Sequence, residues 1–144
     1  MKIIVVYLAL CTSYFGYSQK WKSTFEEAKN LALTENKNIV LVFSGSDWCA
    51  PCIKLDKTVW QSSEFKKESE TNWVIYKADF PKKKANQLSP ILTESNKLLA
   101  SKYNASGNFP LVVLLDKNGT VLGIEGYKNI SAVDYIRILH SFEK

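Results

Sequence analysis

Cys49 and Cys52, separated by Ala50 and Pro51, are the residues of this chain whose type and spacing best suit chemistry. The thiolate is the reactive form of cysteine, and a helix N-terminus stabilises it through unsatisfied N–H groups and the positive end of the helix dipole. The apolar run Ile39 to Phe43 predicts a buried strand and Ile53 to Trp60 predicts a helix, so Cys49 falls at the turn between them. Cys52 follows on nearly the same helix face, within disulfide reach. Pro51 suits the first helical turn, where its missing N–H has no intrahelical partner. Such a pair can cycle between dithiol and disulfide with little backbone movement. The same spacing is also half of a zinc site, which needs two further Cys or His ligands. Only Cys11 and His140 remain, and Cys11 lies in a segment expected to be removed. Thiol redox chemistry without metal or cofactor is therefore the reading carried forward.

The elements that must position this pair can be read from length and patterning. The chain has 144 residues, 46% of them hydrophobic, which fits a single globular domain. Residues 1–18 have the layout of a secretory signal peptide: Lys2, an uncharged run from Ile3 to Leu10, and Gly16 and Ser18 before a cut at Gln19. The apolar part is too short to span a bilayer comfortably. Leu8-Ala9-Leu10-Cys11 imitates a lipid-attachment box, but Leu10 stands where a small residue belongs, so anchoring through Cys11 is the weaker alternative. Residues 19–144 would then form one domain, a monomer in the periplasm, whose only cysteines are the C-x-x-C pair. The net charge is +5, yet no aromatic residues interleave with Lys82-Lys83-Lys84. That run reads as a solvated loop, and nucleic acid is excluded as a partner.

In chain order, Ser23 or Thr24 opens a first helix reaching about Glu35, with Phe25, Ala28, Leu31 and Ala32 inward. Cys52, Leu55 and Val59 mark the buried stripe of the helix after the cysteines, and Ser63 could cap a short piece ending near Glu70. Trp73 to Asp79 reads as a strand parallel to the first. Ser89-Pro90 starts a helix with Ile91, Leu98, Leu99 and Tyr103 as its apolar side. Leu111 to Leu115 and Thr120 to Ile124 flank Asn118-Gly119 as a hairpin. Ser131 caps a last helix with Val133, Ile136, Leu139 and Phe142 inward, and His140 reads as a boundary side chain.

Trp48-Cys49-Ala50-Pro51-Cys52 on a strand-to-helix turn resembles the thioredoxin family. The lead-in Gly45-Ser46-Asp47 and the follow-on Lys54 to Trp60 are closest to its exported bacterial members. The resemblance spans residues 21–142. It implies an α/β thioredoxin-like sandwich, with a mixed central sheet of about four strands and helices on both faces. It also implies that Phe109-Pro110 is the family's cis-proline site, facing the cysteines and offering backbone groups to substrate. Gly126 matches the glycine that lets a partner's backbone approach, although a plain turn glycine fits equally well. Trp48 would shield the site and offer a docking surface, and Lys77 matches a family lysine on the neighbouring strand. One departure stands out: six residues before the first cysteine, where the family has a buried carboxylate, this chain has Phe43. Asp47 is too near the surface turn to replace it, so proton transfer at Cys52 is expected to rely on water. The Pro81 to Ser89 loop is longer than the family's usual connection.

The resulting expectation is an exported thiol:disulfide oxidoreductase acting on cysteine-containing exported proteins. Cys49 would be the nucleophile and Cys52 the resolving thiol, with a membrane electron donor or acceptor as a further partner. Ala50-Pro51 tilts the direction slightly toward reductase or isomerase. Two readings from other classes stay open at this stage: a noncatalytic binding module on the same fold, and a thiolate carrier of a soft metal.

Overall fold

The computed structural model describes residues 20–144, so the expected signal segment and Cys11 lie outside the described residues. The apolar run after Asn38 forms β1 (Asn38–Ser44), buried from Ile39 onward because both of its faces are covered. It pairs in parallel with β2 (Trp73–Asp79) and antiparallel with β3 (Leu111–Leu115). β3 in turn pairs antiparallel with β4 (Val121–Glu125), giving the order β2-β1-β3-β4. The β3–β4 turn forms as the Asn-Gly signal predicts: Gly119 has φ +88°, and the Asp116 carboxylate accepts from the N–H groups of Asn118 and Thr120, both at 2.8 Å.

Side-chain alternation along the strands sends residues to two separate cores. Val40, Val42, Trp73, Ile75, Val112 and Leu114 meet the helices that follow the cysteines and the C-terminal helix. Those elements are α2 (Ala50–Leu55), a π turn (Asp56–Trp60), α3 (Ser63–Asn72) and α5 (Ala132–Ser141). Ile39, Leu41, Phe43, Val74, Tyr76 and Val113 meet α1 (Phe25–Glu35) and α4 (Pro90–Tyr103) on the other face. This is the expected α/β sandwich with helices on both faces.

Several local expectations need correction. Ser62, not Ser63, caps α3, its hydroxyl accepting from Phe65 N–H at 3.1 Å, and the helix runs on to Asn72. On α4, Ile91 and Leu98 face outward, 85% and 65% exposed. The inward side carries Asn96 and Leu99, because Asn96 is satisfied inside the protein: it accepts from Tyr76 Oη at 2.7 Å and donates to Asp79 O at 3.1 Å. On α5, Val133 is exposed and Tyr135 is buried in its place, its hydroxyl donating to Gly126 O at 2.8 Å. The helix after the cysteines does not run unbroken to Trp60 but opens into the π turn at Asp56.

Candidate active site at the mouth of the second helix

β1 ends at Ser44, and the chain turns through Gly45 to Cys49, with Cys49 N–H donating to Gly45 O at 2.9 Å. Cys49 is the cap residue of α2: its Sγ accepts from Cys52 N–H at 3.3 Å. A backbone donor at a helix start favours a thiolate over a thiol. Cys49 and Cys52 are joined as a disulfide with Cα atoms 5.2 Å apart, well inside the range a bridge tolerates. Cys52 Sγ also accepts from Gly45 N–H at 3.5 Å. Both cysteines are buried, 5% and 3% exposed, so the expected difference in accessibility is small.

Trp48 precedes Cys49 directly in the turn. Its indole N–H donates to Phe80 O at 2.7 Å, and its ring meets that of Phe109 edge-on at 5.5 Å. Phe80 packs on Phe109 at the same distance. Phe109-Pro110 is a cis peptide bond, and the aromatic contact brings it to the tryptophan beside Cys49. Gly126 lies next to Pro110, where an added Cβ would be 3.9 Å from Pro110 O. That is an ordinary contact, so the position does not sterically require glycine. Gly45 is different, because a Cβ there would fall inside the Trp48 indole. The sequence marks Gly45 as part of the lead-in to Trp48, but the contact that requires glycine there shows only in three dimensions.

Phe43 does not occupy the place beneath the cysteines. It points to the α1 and α4 side, and the β1 residue on the active-site face is Val42, with Lys77 as its register partner on β2. A carboxylate that does lie on this face near the cysteines is Asp56, one turn beyond Cys52, its backbone N–H donating to Cys52 O. Asp56 Oδ1 lies 2.8 Å from Lys77 Nζ, its other oxygen accepts from Gln61, and the lysine also stands 4.8 Å over the Trp21 ring. Pro51, as expected, sits in the first turn of α2.

The lysine-rich loop returns to this site. Asp47 accepts from the backbone N–H groups of Lys82 and Lys83, each at 2.9 Å, and from Asn86 Nδ2 at 3.0 Å. These bonds, with the nearby Lys83 charge, hold the Asp47 carboxyl below its ordinary pKa. Lys82 Nζ stands 3.9 Å over the Trp48 ring. Among the described residues, no group of three or more His, Cys, Asp or Glu is placed to hold a metal ion.

Residues 20–117 match the family model described as thioredoxin-like. The disulfide bond reductase DsbH of Chlamydia pneumoniae is 33% identical over 117 residues, which span 81% of this chain and 68% of that protein. A solved DsbH oxidoreductase superposes with a TM-score of 0.80 at 30% identity, covering 87% of this chain and 84% of the other. A thioredoxin from Thermus thermophilus shares the fold with a TM-score of 0.63 at 15% identity, covering 86% and 87% of the two chains.

Proposed function

Because the chain belongs to the thioredoxin-like family and is a thiol:disulfide oxidoreductase, we propose that it works as an exported reductase of disulfides in other exported proteins. Cys49 is the attacking thiolate in this reading. Its sulfur breaks the partner's S–S bond and forms a mixed disulfide, releasing one partner thiolate that takes up a proton. Cys52, as thiolate, then attacks Cys49 Sγ, and the second partner sulfur leaves as a thiolate and is protonated. Two electrons pass from the protein dithiol to the partner, and the protein is left with the Cys49–Cys52 disulfide. Trp48, Phe109 and Pro110 form the surface against which the partner's segment lies, with Gly126 beside it. Lys77 supports the helix through Asp56.

The observation that carries this reading is the position of Cys49 as the cap of α2, its Sγ accepting from Cys52 N–H and joined to Cys52 as a disulfide. The reductase direction rests on likeness to a protein named as a disulfide bond reductase and on Ala50-Pro51 between the cysteines. Export rests on the signal-like pattern of residues 1–18, and a single domain from residue 19 follows from it. A membrane partner must then return electrons to the dithiol.

The direction is tested by the reduction potential of the Cys49–Cys52 pair at equilibrium with glutathione. A value near that of thioredoxin, about −270 mV, supports a reductase, and one near that of a strong periplasmic oxidant, about −120 mV, overturns it.

A further inference from the structure

Lys82, Lys83 and Lys84 are exposed, and among the described residues none of them forms an ion pair. A free run of lysines is ordinarily a solvated face. Here the run is fixed in place. Three hydrogen bonds tie residues 82, 83 and 86 to Asp47, two positions before Cys49. The backbone just ahead of the run is held as well, since Phe80 O accepts from the Trp48 indole at 2.7 Å. Lys82 Nζ stands 3.9 Å over the Trp48 ring, the Lys83 charge acts on Asp47 nearby, and the run thus gives a positive rim to the edge of the aromatic patch of Trp48, Phe80 and Phe109. A segment crossing that patch to reach Cys49 must bring its flanking residues to this rim. The nearby carboxylates are engaged elsewhere: Asp47 accepts from three loop donors and Asp79 accepts from Ser46, and among the described residues neither forms an ion pair with Lys82, Lys83 or Lys84.

We propose that the Lys82–Lys84 rim recognises carboxylates beside the substrate's disulfide, so that the enzyme selects disulfides in acidic segments of its protein substrates. This rests on the oxidoreductase reading above and adds a substrate class to it. Fixed positive charge at the edge of an interface raises the productive encounter rate with an acidic partner and lowers it with a basic one, in a salt-dependent way.

The test uses the full domain with dithiothreitol as electron source and two synthetic peptides that share one intramolecular disulfide. One peptide carries Asp and Glu on both flanks, and the other carries Lys. At low salt kcat/KM should favour the acidic peptide by roughly tenfold. The preference should fade in high salt and fall to near parity in the Lys83→Glu/Lys84→Glu variant. Equal rates for the two peptides in the wild-type protein would overturn the rim's role while leaving the oxidoreductase intact. Equal slowing of both peptides in the variant would overturn it too, because the lysines would then act on the thiol and not on recognition. Lysine-dependent binding to anionic vesicles without any peptide preference would assign the rim to a lipid surface and overturn the proposal. If neither peptide is reduced beyond the Cys49→Ser background, the underlying oxidoreductase reading fails instead.

Discussion

Replacing Gly45 with alanine puts the packing of the active-site turn under direct test. The glycine's φ is not positive, so backbone strain is not the issue; the new methyl group would overlap the Trp48 indole. If the indole stays, overpacking costs about 1–3 kcal/mol. If it swings away, the loss is the hydrogen bond from its N–H to Phe80 O and the edge contact with Phe109, each worth about 0.5–1.5 kcal/mol. Both routes predict a destabilisation of about 1–3 kcal/mol. Trp48→Ala removes the obstacle, so in that background Gly45→Ala should cost no more than about 0.5 kcal/mol. Urea unfolding of the reduced proteins, followed by far-UV circular dichroism, gives the four corners of the cycle without interference from the disulfide or the lost fluorophore. Equal costs of Gly45→Ala in the two backgrounds would refute the reasoning, because the glycine would then matter for something other than the tryptophan.

The remaining predictions concern the supports of the site. Asp47→Ala leaves the backbone N–H groups of Lys82 and Lys83 without their acceptor, so trypsin should cut at Lys82–Lys84 at least several-fold faster than in the native protein. Tyr135→Phe removes the hydroxyl that donates to Gly126 O from a buried ring and should destabilise by about 1–2 kcal/mol in urea. His140 faces Glu143 and Glu68 at 2.6 and 2.7 Å, one through each ring nitrogen, a pairing only the imidazolium can satisfy as a double donor. Burial opposes its charge, but the two carboxylates outweigh burial and raise its pKa above 6.5. The stabilisation is therefore full below pH 6.5 and is lost as pH climbs through the raised value. His140→Gln should consequently cost about 0.5–1 kcal/mol near pH 6 and little near pH 9, as read from urea midpoints across that range.

The strands and the cysteine pair were legible because each rests on local pattern: an uninterrupted apolar run for β1, Asn-Gly for the β3–β4 turn, and Trp-Cys-Ala-Pro-Cys for the site. What escaped depends on side chains that meet across the fold. Asn96 reads as a surface residue on a helical wheel, yet Tyr76 and the Asp79 carbonyl bury it and rotate α4 so that Ile91 and Leu98 face out. Counting six residues back from Cys49 reached Phe43, but β1 continues to Ser44 and the pleat sends Phe43 to the opposite core. Only an acidic residue one turn after Cys52 hints at the Asp56–Lys77 pair, because its partner comes from β2, outside the helical segment. The lysine run is exposed, as a solvated loop should be, but its anchor is not visible locally, since Asp47 lies 35 positions earlier in the chain.

The central claim, that Cys49 attacks and Cys52 resolves, is tested most directly by mass spectrometry of the reduced single-cysteine variants mixed with a disulfide peptide. Cys52→Ser should accumulate a mixed disulfide on Cys49 within the time the native protein needs to turn over, while Cys49→Ser should form one far more slowly. An adduct that forms equally fast on Cys52, or none on Cys49, would contradict the account.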